Sequence, residues 1–435
     1  MLSSGTSFGE ASNGAVRFSV MSGRRIENVA ILGGGPAGSS LATHLARRGL
    51  GVALFTRGKR PPIIVGESLL PAIVPHLRKL GVEKEVASFS RFKGGATFIF
   101  DQKGGMSFQF HDVPSVSTTY SYNVPRDRFD ETLLEAARRA GAQQIHHSVG
   151  LEASEGEFLR LDEESREAAR SALGADPDWI VDATGRSRLI ANLLDLPAIV
   201  GDRRDAALHA HMEGVPMETE GNVHTDRLEH GWGWRIPLPD CVSVGLVVGD
   251  EFLHKFGNSS EEQFDAYLRA DAVTREWARD ARRTTPVIRY TNYQLRSERG
   301  CGPNWSLVGD AFGFVDPVFS SGMLIGLQSS EALAAAILKG TDRAFQKYER
   351  FVLRNLRVWQ QVVGYYYNGR LLTLFRVGEY VRQTPPGRMM DFHFRRHMPR
   401  IFTGEGTTNP YSLGLVAFMC RYGLAGNDPR ELEVH

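Results

Sequence analysis

The apolar run Val29-Ala30-Ile31-Leu32 leads without a break into Gly33-x-Gly35-x-x-Gly38. Ala37, Leu41 and Leu45 then recur at helical spacing until Gly49 ends the pattern. This order constrains the chain more than any other feature. A buried strand running through three glycines into a helix gathers backbone amides and the positive end of a helix dipole at one point. A dinucleotide pyrophosphate suits that point, with Gly33, Gly35, Pro36, Ala37 and Gly38 as the residues that meet it. The glycines allow a tight turn, close approach of the backbone to the ligand, and close helix packing. The plain alternative is an ordinary glycine-rich turn, but the strand and helix on either side favour the dinucleotide. Val52-Ala53-Leu54-Phe55 supplies a second parallel strand and completes a βαβ unit.

At the end of that second strand, where an acidic ribose ligand is expected, the chain has Thr56 followed by Arg57. The hydroxyl suits a ribose contact and the guanidinium a phosphate; the alternative for both is a solvated loop. Composition adds exclusions. With 51 basic against 50 acidic residues there is no general attraction for nucleic acid or an anionic membrane. Cys241, Cys301 and Cys420 are too far apart in sequence to form a metal-ligand pair or a disulfide framework, so a reducing, cytoplasmic setting is expected. No metal is expected. Residues 1–27 are rich in Ser and Gly and read as a flexible extension, and no apolar run long enough to span a bilayer is expected.

The rest of the chain alternates in character. Phe-rich segments broken by glycine pairs run from about Phe92 to His111 and suit antiparallel strands. A helix follows at about 127–140, then the buried strand Trp179-Ile180-Val181, more strand-like segments over 201–295, and an apolar helix from Gly322 to Leu338. The expected fold is α/β: a Rossmann-like three-layer dinucleotide domain over 28–340, interleaved with an antiparallel substrate sheet from about 86–120 and 201–295. A mainly helical region over 341–435 completes it. There Phe345, Tyr348, Val352, Trp359 and Val363 share a helical face that either packs as core or covers a substrate.

Val124-x-Arg126-x-x-Phe129-Asp130, Asp182-Ala183-Thr184-Gly185 and Gly309-Asp310 follow the glycine turn in an order that resembles the FAD monooxygenases related to hydroxybenzoate hydroxylase. That resemblance makes FAD the cofactor, with Asp310 at its ribityl chain and Arg126 reaching it as well. Helix capping and a surface ion pair are the ordinary roles for these two residues.

Three further stretches resemble the flavin-dependent halogenases, and together the matches cover roughly 29–340. Gly231-Trp232-Gly233-Trp234-Arg235-Ile236-Pro237 matches the family's W-x-W-x-I-P pattern; period-two alternation puts Trp232, Trp234 and Ile236 on one strand face. Phe314-x-x-Pro317-x-x-Ser320-x-Gly322 opens a helix whose first amides, at Ser321 and Gly322, suit a halide, with Gly322 also near the cofactor. Gly66-Glu67-Ser68-Leu69-Leu70-Pro71 with Phe92-Lys93-Gly94-Gly95 places Lys93 at the family's lysine between the flavin and substrate chambers.

The resemblance implies that reduced FAD from a separate reductase, oxygen, and chloride or bromide yield hypohalous acid. Lys93 then guides the oxidant to an electron-rich aromatic, while Trp232 and Trp234 shield substrate from flavin. Phe319 stands where tryptophan halogenases carry a glutamate, so the chain looks more like the branch acting on phenols or pyrroles, often tethered to a carrier protein. Arg395, Arg396 and Arg400 are candidate docking residues for that carrier, and Glu67 and His111 are candidate bases. Competing readings are a flavin hydroxylase, an isoprenoid reductase, and a non-catalytic flavin-binding partner.

Overall fold

The computed structural model describes residues 25–58, 63–102, 104–292, 294–381 and 385–435. Of the expected N-terminal extension, residues 1–24 lie outside the described residues. The first strand, β1 (Asn28–Leu32), buries Val29 to Leu32 completely. It enters α1 (Pro36–Ala46), which returns to β2 (Gly51–Thr56). The helix α2 (Arg126–Arg139) precedes β3 (Gln143–His146), and β4 (Trp179–Asp182) and β5 (Trp305–Leu307) complete a parallel sheet of order β5-β4-β1-β2-β3. Val29 is level with Val52 on one side and Trp179 on the other.

The helix α3 (Ser321–Lys339) packs against α1. Small residues allow the approach: a side chain at Gly309 would meet the Ala37 Cβ at 2.9 Å, and one at Gly326 would meet it at 3.7 Å. Contrary to the sequence expectation, α3 is long and apolar enough to cross a membrane by length and composition alone. It is mostly buried inside the protein, as the core helix of a packed domain would be.

A second sheet has eight strands. Its path runs through Arg282–Arg283, Asp205–Glu213, Val242–Gly249, Trp232–Pro237, Val223–Arg227, Gly95–Asp101 and Gly104–Gln109, with Ile288–Asn292 also pairing with Asp205–Glu213. All its ladders are antiparallel except one. Val223–Arg227 runs parallel to Gly95–Asp101, with Val223 level with Ala96, and there the two sequence-distant contributions meet. The sheet is narrower in sequence than expected. Residues 83–89 form a helix, and Arg91–Lys93 leaves the sheet to pair with Ser121–Asn123 in a separate two-stranded ribbon.

The C-terminal region consists of α4 (Asp342–Tyr367), α5 (Arg370–Val381), α6 (Pro385–Phe402) and α7 (Pro410–Tyr422). The aromatic face of α4 resolves to core. Phe345 stacks on Trp179 with ring centroids 4.4 Å apart, and the Tyr348 hydroxyl donates to the Leu307 carbonyl at 2.5 Å. The far end of α4, at Tyr366 and Tyr367, reaches Trp232 of the second sheet and Phe319.

Candidate active site

At the glycine turn, Gly33 has φ +114°, and a side chain there would sit 2.4 Å from the Ala183 carbonyl oxygen. A side chain at Gly38 would lie 2.0 Å from the Gly33 oxygen. These two glycines are fixed by the protein's own backbone. Gly35 differs: nothing lies within 4 Å of where its side chain would be, and the first turn of α1 has no side-chain cap. Pro36 and Ala37 open the helix. The turn thus leaves open space in front of uncapped amides, which fits a pyrophosphate.

Thr56 is buried, and the position of a Gly34 side chain would be 2.5 Å from its methyl. Its hydroxyl accepts from Gln144 Nε2 at 2.8 Å, while Arg57 is exposed. Asp182 turns its carboxylate inward to accept from the Thr184 amide and hydroxyl and the Ile190 amide, fixing the loop beside Gly33. Arg126, at the start of α2, binds Asp130 (2.9 Å) and donates to the carbonyls of Val65 and Gly66. Burial pushes the Asp310 carboxyl above its ordinary value, against the opposing pull of Arg126 and Arg186.

Lys93 ends the ribbon strand Arg91–Lys93 and is 1% exposed. The segment 66–70 is stitched to the same ribbon: Leu69 donates to the Tyr122 carbonyl (3.0 Å) and Val124 to that of Glu67 (2.7 Å). That brings Ser68 Oγ within 2.8 Å and the Leu69 carbonyl within 2.9 Å of Lys93 Nζ. Among the described residues no carboxylate pairs with the amine. Burial alone therefore lowers its pKa to about 7, so ammonium and free amine coexist near neutrality.

Lys93 borders a narrow cavity of about 70 Å³. Trp232, Trp234 and Ile236 line it from one strand face, while Arg235 points the other way into a buried two-pronged ion pair with Asp226. The opposite wall is Pro317 to Ser320, and Phe98 and Phe402 help close it. Phe319 meets Phe402, Tyr366 and Phe98 at centroid separations of 5.4, 5.7 and 6.3 Å. A larger cleft of about 560 Å³ lies along Arg25, Glu152, Arg166 and Asn304. None of the candidate cofactor, halide or catalytic residues lines it.

Ser320, with φ +55°, turns the chain into α3. Ser321 follows, completely buried, and its hydroxyl finds no partner among the described residues. Gly322 has nothing within 4 Å of a side-chain position. An unpartnered hydroxyl and the first amides of a long helix fit an anion.

Several features had no sequence signal. Trp232 Nε1 donates to the Tyr367 hydroxyl at 2.9 Å, which donates to Asp316 at 2.8 Å; the same carboxylate caps the Val318 amide at 3.0 Å. This chain ties the tryptophan strand to the turn before Ser321 through a residue of α4. Glu67 pairs with His211, 2.7 Å from Oε1 to Nε2 across 144 residues of sequence. Other candidates fall away from the cavity. His111 is exposed beside Asp112, and Arg400 is largely covered and faces Glu405 at 3.8 Å. Arg396 is half-buried, and the side chain of Arg395 lies outside the described residues.

The fold and these sites define a flavin-dependent halogenase. Residues 28–112 and 103–373 match the family model described as tryptophan halogenase, and the chain belongs to that family. A tryptophan 2-halogenase of Chondromyces crocatus is 31% identical over 370 residues, covering 80% of this chain and 69% of its own length. A pyrrole-2-carbonyl peptidyl-carrier-protein chlorinase of Pseudomonas fluorescens is 27% identical over 385 residues, 79% of this chain and 84% of the relative. The structure of the myxobacterial chondrochloren halogenase, an FAD-dependent halogenase, superimposes with a TM-score of 0.68 at 27% identity, covering 79% of this chain and 83% of that one.

Proposed function

We propose that this halogenase uses FAD, reduced by a separate reductase, with oxygen and chloride or bromide to halogenate an electron-rich phenol or pyrrole, free or carried on a carrier protein. The observation that carries the reading is Lys93: a buried amine with no carboxylate partner among the described residues, on the wall of a cavity lined mainly by tryptophans, phenylalanines and aliphatic residues. When bound, FAD supplies the reducing equivalents that activate oxygen. Gly33 to Gly38 hold its pyrophosphate, and Arg126 and Asp310 lie where its ribityl chain would pass.

The first amides of α3 and the Ser321 hydroxyl hold the halide. Trp232 and Trp234 exclude water and keep the aromatic ring from the flavin. Ser68 and Leu69 occupy two of the three N–H groups of the Lys93 ammonium. One N–H, or the lone pair of the free amine, remains for hypohalous acid. The ring then attacks the electrophilic halogen where Lys93 holds it. Phe319, packed against Phe402, Tyr366 and Phe98, puts an apolar ring rather than a charge at its own position on the wall, which favours a neutral phenol or pyrrole over free tryptophan. The Pseudomonas relative supports a carrier-tethered ring.

The test is turnover with reduced FAD, oxygen and halide on a panel of free and carrier-linked phenols and pyrroles, read by product mass. A halogen isotope pattern is expected from the parent enzyme and none from Lys93→Ala. A gain of one oxygen without halogen, or undiminished halogenation by the variant, overturns the reading.

A further inference from the structure

Halogenation of a ring carbon leaves one proton to remove. Among the described residues that line the cavity, two carry ionisable side chains, Lys93 and Glu67. Lys93 is engaged with the oxidant in the reading above. Glu67 is 2% exposed, follows directly on the loop that receives Arg126, and is held in place by the backbone bond from Val124. Its Oε1 meets His211 Nε2 at 2.7 Å, and the His211 side chain is 19% exposed, so the pair bridges the cavity wall and the protein surface.

Resting on the proposed halogenation, we propose that Glu67 takes the proton from the halogenated ring carbon and that His211 is the positioning residue through which the charge is relayed to solvent. The balance is simple. The ring carbon forms a bond to halogen as the oxygen–halogen bond of hypohalous acid breaks. The carbon–hydrogen electron pair returns to the ring, and the proton goes to the Glu67 carboxylate. With its counter-charge neutralised, His211 releases its own proton to solvent, and the departing hydroxide is protonated to water. The sum is arene plus hypohalous acid to haloarene plus water.

The surroundings favour this assignment. Two cationic side chains, Arg126 and His211, face the Glu67 carboxylate. Burial disfavours a charged His211, but Cys241 and Glu67 outweigh it and raise its pKa to about 10. His209, next along the same strand, is driven down to about 4 by burial, and its ring nitrogens have no partner among the described residues. It adds no competing charge. Tyr290, the remaining titratable neighbour, is raised by burial and stays neutral.

The experiment compares parent enzyme, Glu67→Gln, Glu67→Asp and His211→Gln on a reactive phenol carrying hydrogen or deuterium at the halogenated position. Glu67→Gln should lower kcat about 100-fold, the usual scale for loss of a positioned base. It should also expose a primary isotope effect that the parent lacks, while Glu67→Asp recovers part of the rate. A merely structural role would lower the rate without an isotope effect, and that result overturns the inference, as does an unchanged kcat. Histidine 15N NMR gives a reading that does not depend on turnover: His211 should stay protonated through neutral pH in the parent and titrate lower in Glu67→Gln. Titration in the ordinary histidine range in the parent overturns the pairing. Absence of halogenated product from the parent itself sinks the halogenation reading along with this one; product from the parent with Glu67→Gln unaffected sinks this one alone.

Discussion

The glycine turn and the Lys93 cavity are built by opposite means. The residues of the turn are neighbours in sequence, and its constraint is backbone against backbone: Gly38 against Gly33 within the turn, and Gly33 against Ala183 at the end of the adjoining strand. The cavity is assembled from the loop at 65–70, the ribbon strand at Lys93, three strands of the second sheet, the turn at 317–320 and Phe402 of α6. It is held by side chains reaching far across the chain. A locally built site tolerates little change in its residues and binds something common to a whole family. A site gathered from remote segments can be re-lined one residue at a time, which suits the place where substrates differ.

The sharpest way to test that contrast is at Gly33. Gly33→Val forces a branched side chain into the Ala183 carbonyl at a left-handed φ, and should cost more than about 4 kcal/mol, leaving no stable FAD-binding protein by thermal denaturation or flavin retention. At the cavity the largest expected effect is electrostatic. Lys93 has a folded-state pKa depressed from 10.5 to about 7, so between those values the unfolded chain binds the extra proton. Unfolding free energy should therefore rise with pH across that window, by up to about 1.4 kcal/mol per unit. The rise should vanish in Lys93→Met; urea titrations at a series of pH values check it.

Tyr367→Phe comes next. It strips the hydroxyl linking Trp232 to Asp316 and leaves the buried Trp232 Nε1–H without its acceptor, while Asp316 keeps the bond from the Val318 amide, costing about 1–3 kcal/mol. Because Asp316 also caps the turn before Ser321, the halide KM should rise in the same variant. A fall in stability with an unchanged halide KM would separate the two walls. Thr56→Val should have the smallest effect, about 1 kcal/mol or less in chemical denaturation, since it removes one hydroxyl that accepts from Gln144.

The same contrast explains what could be read from the sequence. The βαβ unit, the strand at Trp179 and the helix from Ser321 were legible because each is specified by local periodicity and glycine placement. The wall of Trp232, Trp234 and Ile236 followed from alternation along one strand, and Lys93 from the order of family motifs. Local pattern carried no trace of Tyr367 meeting Trp232, of His211 meeting Glu67, or of the parallel pairing at Val223 and Ala96. Each of these depends on tertiary register across at least 125 residues. Misplaced expectations had the same origin. His111 sits in a Phe-rich stretch but on its exposed side, and Arg400 belongs to a basic cluster whose neighbour Glu405 is set by the fold.

That parallel pairing also bears on how the molecule comes into being. Residues 95–101 must wait for 223–227 before their ladder can form, and the aromatic lid waits for Phe402, near the end of the chain. Loop closure over such spans is slow relative to the local βαβ unit. During synthesis the nucleotide turn can therefore mature well before the reaction chamber is sealed, so a nascent chain would acquire its binding half first and its containment last.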